Sequence, residues 1–178
     1  MERCGESDVK LIGAVIIILA TTWIGFECAK RLSERPKQLR QLKVAIQSLE
    51  AEIMYGLTPL AEASEHIAKQ MPKPVSYFFE HFSFRLRNKQ ETAFEAWEES
   101  LNEMWNLTAM QGSEREVMMQ FGSTLGQHDR QQQQKQIKLT LSHLEREEQE
   151  AKDRQHKYER MIKSLGFLTG LLIVILMI

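Results

Sequence analysis

Apolar residues return every three or four positions through most of this chain, and both ends carry uninterrupted apolar runs. After Pro36, the residues Leu39, Leu42, Ile46, Leu49 and Ile53 step by three and four in turn. That is a seven-residue repeat, the pattern of a helix packing along another at a shallow angle. Pro36 suits the first turn of this helix and Gly56 its end. A second helix begins with Thr58 as cap and Pro59 at its first position, and its apolar face uses Leu60, Ala63 and Ile67. The segment MPKP interrupts the pattern. Helix three then carries Val75, Phe78, Phe79, Phe82 and Leu86, and helix four Phe94, Trp97, Leu101, Met104 and Trp105. Aromatic residues at helical spacing are read as a packed core rather than a cofactor box. Ser113 followed three residues later by Glu116 reads as a capping box, opening a fifth helix that buries Val117, Met118, Phe121 and Leu125.

Gly126 is a natural stop and Asp129 a natural cap for the next helix. From Arg130 there is no proline or glycine until Gly166, so the sixth helix is expected to run unbroken into the C-terminal apolar segment. Its stripe is Ile137, Leu141 and Leu144, continued at the same steps by Glu148, Ala151, Gln155, Tyr158 and Ile162. Residues 145–157 are polar nearly all round, which fits a solvent-crossing stalk or a weakly packed coiled coil. Helices one and six are expected to run antiparallel, with Leu39 near Ile162 and Leu49 near Ala151. The alternative is that the helix-one stripe forms a homo-oligomer.

The apolar ends are read against a bilayer. Leu11 to Phe26 carries no charge, and extended through Ala29 it approaches the ~20 residues of a crossing. Trp23 and Phe26 suit an interface, and Lys30 and Arg31 follow. A cleaved signal peptide would need a small-residue cleavage site where the sequence has TTWIGFECAKR, so an uncleaved anchor is expected. The second run, Leu165 to Ile178, spans ~21 Å as a helix, short of a ~30 Å core. Met161 and Ile162 can lengthen it, with Lys163 snorkelling. A tail helix buried in an assembly is the other reading.

Lys30, Arg31, Arg35, Lys37, Arg40 and Lys43 follow the first run, and Lys152, Arg154, Lys157, Arg160 and Lys163 precede the second. Positive flanks stay in the cytoplasm. The expected fold class is therefore all-α: a cytoplasmic six-helix bundle over residues 30–163, flanked by transmembrane helices at 9–29 and 164–178. A short leader, 1–8, precedes it, the last helix is continuous with the C-terminal membrane segment, and both termini lie across the membrane.

Composition removes several function classes. The net charge of −1 and the mixing of signs give no reason to expect nucleic acid. Cys4 and Cys28 fall in no metal-ligand spacing. His128, His143 and His156 cannot converge on one ion, because the step from His143 to His156 turns roughly 140° off the face. No phosphate-binding loop or nucleophile elbow occurs. No catalytic, cofactor-binding or metal-ligating residue is expected, and the chain is read as a non-enzyme.

The stretches KRLSERPKQLRQLKVAIQSLEAEIMYGLTPLAEA and FGSTLGQHDRQQQQKQIKLTLSHLEREE resemble the stage III sporulation protein AB family, and the resemblance runs from about Val9 to the C-terminus. It implies a part of the channel-like complex between mother cell and forespore during engulfment, needed for forespore development. That places the chain in the membrane of the sporulating mother cell. The family is similar to the F platform proteins of type II secretion, whose cytoplasmic domains are six-helix bundles with a glycine-leucine-proline-leucine turn. Here Gly56, Leu57, Thr58, Pro59 and Leu60 occupy that place.

The implied partners are a secretion-type sporulation ATPase, other membrane proteins of the stage III complex and the lipid bilayer. Two polar corners are nominated as partner contacts: Gly56, Thr58 and Pro59 in one, Gly126, Asp129 and Arg130 in the other. Simple cap-and-turn structure is the alternative for both. A membrane-anchored signalling adaptor without an ATPase partner is the competing function. An intramembrane enzyme is disfavoured, because only Glu27 lies near the edge of a crossing.

Overall fold

The computed structural model describes residues 20, 23, 33–88, 91–126 and 130–177, and every regular element among them is α-helical. Helix α1 occupies residues 33–54. It is followed by α2 (Leu60–Gln70), α3 (Val75–Arg87), α4 (Ala93–Trp105), α5 (Gly112–Gly122) and α6 (Arg130–Met177). The chain divides into two units, Glu34–Ala151 and Met1–Ser33 with Lys152–Ile178.

Within Glu34–Ala151 the apolar stripes meet as their spacing requires. Leu39, Leu42, Ala45, Ile46 and Leu49 of α1 are fully buried, so this stripe is spent inside the chain and is not a surface for a homo-oligomer. Helices α3, α4 and α5 close around Trp97. Its ring meets Phe78, Phe82 and Phe121 edge-on at centroid distances of 4.6, 5.0 and 5.2 Å. Edge-to-face contacts align the positive rim of one ring with the negative face of another. The buried indole N–H donates to the Met118 carbonyl at 2.8 Å, so no polar atom is stranded. Gly122 lies against the same indole; a Cβ there would fall inside the ring. Buried serines are satisfied locally: Ser64 and Ser100 donate to the carbonyls of Leu60 and Ala96, and Ser83 donates across to Ala61 of α2.

Several expectations need correction. Helix α1 is already helical at Ser33, so Pro36 lies inside the described helix rather than opening it. Pro59, not Thr58, precedes α2, because the Thr58 hydroxyl is occupied elsewhere. The cap of α5 is Gln111, whose backbone N–H donates to Glu114 Oε2 at 2.8 Å, rather than Ser113 with Glu116. Helices α1 and α6 are antiparallel, but slid from the expected register: Arg40 and Lys43 both pair with Glu148. From the Arg40–Glu148 pair, Leu49 and Ala151 lie about 18 Å apart along the axes at 1.5 Å per residue. The polar stretch of α6 is not a bare stalk either, since Glu147, Glu148 and Ala151 are buried.

Helix α6 does form one element of 48 residues. Among the described residues no helix is long and apolar enough to cross a membrane. Of the first apolar run only Ala20 and Trp23 are described, both helical and exposed. Of the side chains in the second run, Leu168 and Leu172 are described, and both are exposed.

Candidate functional site

The corner between α1 and α2 is built by glutamate, threonine and histidine side chains around a tight reversal. The amides of Tyr55 and Gly56 both donate to the Ala51 carbonyl at 3.1 Å, and the Thr58 amide donates to Glu52 O at 3.1 Å. Gly56 is required by space, since a Cβ there would sit 2.8 Å from the Glu52 carbonyl oxygen. The left-handed residue is its neighbour Leu57, at φ +53°. That conformation costs a branched residue roughly 1–2 kcal/mol. Glu52 holds the reversal: its carboxylate accepts from Thr58 Oγ1 at 2.7 Å and lies 3.4 Å from His66 Nδ1. The Thr58 hydrogen bond, then that of His66, lowers the Glu52 carboxyl below its ordinary value. The product is a fixed turn that displays two apolar side chains, Tyr55 at 76% and Leu57 at 64% exposure.

The second nominated corner is made by other elements. Gly126 has φ +80°, the conformation that favours glycine, and a Cβ there would touch only Ala93 Cβ of α4. Asp129 lies outside the described residues. Arg130 opens α6, and its side chain also lies outside them. Gly56, Thr58 and Pro59 thus lie together at the α1–α2 reversal, and Gly126 lies beside Ala93 of α4. Among the described residues no group of three or more His, Cys, Asp or Glu side chains could hold a metal.

A third feature, a buried ionic seam, joins α1 to α5 and α6. Arg35 Nε donates to Glu114 Oε1 at 2.8 Å, and Arg35 Nη2 donates to Glu147 Oε2 at 3.1 Å. Arg35 and Glu147 are each 7% exposed and Glu114 is fully buried. One turn on, Glu148 accepts from Arg40 Nε at 3.2 Å and pairs with Lys43 Nζ at 2.9 Å. Glu114 also caps α5, and the Gln38 side-chain carbonyl accepts from the Ala109 amide at 2.8 Å. The loop before α5 is therefore tied to α1 by polar contacts, while its Met110 is buried in the shared apolar core. The signal was present in the sequence: Arg35 extends the helix-one stripe one step before Leu39, and Glu148 stands on the α6 stripe.

These features lie within a sequence and a backbone that both have known relatives. The family description of stage III sporulation protein AB matches residues 10–178. The chain belongs to the stage III sporulation protein AB family. It is 57% identical over 169 residues to stage III sporulation protein AB of Bacillus subtilis (strain 168), covering 95% of this chain and 99% of that relative. A solved structure of stage III sporulation protein AB superposes with a TM-score of 0.68 at 54% identity. It covers 70% of this chain and 98% of the solved one. Membership of the stage III sporulation protein AB family gives the chain a role in sporulation.

Proposed function

We propose that the chain is a non-enzymatic membrane platform of a secretion-like channel complex between mother cell and forespore. Its helical unit docks a secretion-type ATPase and supports forespore development. The observation that carries this reading is the Glu52-held corner, where a rigid turn keeps Tyr55 and Leu57 in solvent. Exposed aromatic and aliphatic side chains on a fixed scaffold are ready-made docking anchors, because little entropy is lost when a partner covers them. The corner also occupies the position of the glycine-leucine-proline-leucine turn that the resemblance to F platform proteins points to.

Membrane anchoring rests on the uncharged run Leu11–Phe26, on the apolar C-terminal run, and on the basic flanks inside both. Met161, Leu168 and Leu172 of α6, all outward-facing, suit a lipid-facing stripe. The bulk of the chain is then cytoplasmic in the mother cell, beside the other membrane proteins of the complex.

The test is binding of the full-length chain, in lipid nanodiscs, to the secretion-type sporulation ATPase of the same organism, with and without nucleotide. Saturable binding that Tyr55→Ser with Leu57→Ser weakens by about tenfold or more supports the platform. Absence of binding by a chain with full helical content would leave the adaptor without an ATPase partner as the better reading.

A further inference from the structure

Two stretches of the unit Glu34–Ala151 carry unbalanced charge of opposite sign. From Glu91 to Glu114 there are six glutamates and no aspartate, lysine, arginine or histidine. From Arg130 to Leu144 there are one arginine and two lysines and no acidic residue. Solvated helices ordinarily interleave the two signs, so each stretch carries an excess of one sign along its own length, although Glu114 is buried and paired with Arg35.

The acidic stretch borders a groove. Glu91, Glu99 and Glu103 converge on the single guanidinium of Arg85, at 3.0, 2.8 and 2.7 Å. Three carboxylates on one cation leave negative charge in excess. His81 Nδ1 also lies 2.7 Å from Glu103 Oε2, and the Arg85 hydrogen bond holds the Glu103 carboxyl below its ordinary value. Between α3 and α4 an open groove of about 700 Å³ is lined by His81, Phe84, Arg85, Asn88, Glu91 and Glu103. Phe84, on its wall, is 66% exposed, the most accessible phenylalanine among the described residues. An aromatic ring on the wall of a charged groove is apolar surface left uncovered by the chain itself.

The basic stretch presents the converse. Lys135, Lys138 and Leu139 stand on one exposed face of α6, at the three- and four-residue spacing that makes helical neighbours. Leu139 is 46% exposed. Neither lysine has an ion-pair partner among the described residues.

We propose that these faces are the two halves of one interface between copies of this chain. Lys135 and Lys138 of one copy meet Glu91, Glu99 and Glu103 of the next, and Leu139 enters the groove beside Phe84. A second copy is the occupant because every molecule carries both halves, each basic face finding an acidic groove of opposite charge and an apolar contact at its centre. The halves differ, so the contact is heterologous: a dimer keeps one half free at each end, and association continues head to tail until it closes or is capped. This is independent of any ATPase contact at the Tyr55–Leu57 corner.

Sedimentation velocity on the full-length chain in a nonionic detergent tests it. Wild type gives species beyond a dimer as concentration rises, and raising ionic strength from about 0.05 M to about 0.5 M weakens association tenfold or more. Lys135→Glu with Lys138→Glu is monomeric alone, and so is Glu99→Lys with Glu103→Lys. An equimolar mixture of the two re-associates, because each reversed face then meets a reversed partner. Phe84→Ser, which changes no charge and touches an exposed ring, weakens association about tenfold and serves should the groove reversal unfold the chain by circular dichroism. A wild type that stays monomeric at low salt overturns the proposal, and so does a mixture of folded reversed variants that stays monomeric.

Discussion

Helices α3, α4 and α5 meet around rings, whereas α1, α5 and α6 add a set of buried charges to their apolar contacts. In the first region Trp97 is enclosed by Phe78, Phe82 and Phe121, and its one polar atom is satisfied by a backbone carbonyl. In the second, Arg35 bridges Glu114 and Glu147, while Arg40 and Lys43 share Glu148. Apolar burial is non-directional and close to additive in area, so the aromatic region supplies stability without choosing among similar packings. A buried ion pair gives back in attraction roughly what desolvation removes, yet it punishes any arrangement that leaves one charge alone. The aromatic region therefore holds the unit together, and the ionic seam fixes how α1 and α6 are paired.

The largest effects should come from the ring cluster. Trp97→Ala removes the ring that all three helices share and strands the Met118 carbonyl contact, and about 3–5 kcal/mol of stability is expected to go. Gly122→Ala reaches the same place from the other side, since its new methyl has nowhere to go but the indole. Chemical denaturation of both variants measures the loss; a change near the ±0.5 kcal/mol of ordinary surface substitutions would mean that Trp97 is not the centre of this core.

The seam should respond differently to single and combined substitutions. Arg35→Met leaves Glu114 and Glu147 buried without their cation, and about 3 kcal/mol is expected to be lost. Combining Arg35→Met with Glu114→Gln and Glu147→Leu removes the stranded charges while keeping the α5 cap acceptor, and most of the loss should return. Thermal unfolding of the single and triple variants decides between the two. If the triple is as unstable as the single, the seam stabilises in its own right and the contrast with the aromatic region is wrong. The triple variant should also loosen register: a flexible bis-maleimide bridging cysteines placed at 43 and 145, a pair now joined by Lys43 Nζ and Glu145 Oε1 at 3.6 Å, should give mixed rather than single products.

The same division separates what was legible in the sequence from what was not. Phe78, Phe82, Trp97, Leu101 and Phe121 announced themselves because helical burial repeats locally, every three or four residues. Arg35 and Glu114 are 79 positions apart, and no periodicity links a charge to its partner. The α5 cap escapes local reading for a related reason: Ser113 with Glu116 satisfies the local pattern, but Glu114 is chosen by its long-range pairing with Arg35. A seven-residue stripe also looks almost the same after sliding by a heptad, so the stripes could not set the register of α1 against α6, which the ion pairs show. At the corner, Gly56 was recognisable as a stop, but the left-handed turn passed to Leu57, because the neighbouring backbone, not φ, demands glycine at 56.

Alkaline titration separates the two regions most finely, because the ring cluster has no group to titrate. The Lys43 ammonium is held above its ordinary 10.5, chiefly by its hydrogen bond to Glu148, against the opposing effect of burial. A raised folded value means that the folded chain holds this proton more tightly than the unfolded one. The contribution is therefore complete below the ordinary value and is lost as pH rises through the folded one. Wild type and Lys43→Met should show a constant difference in denaturation midpoint at neutral pH that shrinks above pH 10.5. Trp97→Phe should keep a constant difference from wild type across the same range, since what it changes carries no proton. The Lys43→Met difference holding steady through that range would mean that the Lys43–Glu148 pair adds no pH-dependent stability. The seam would then act through Arg35 and Arg40.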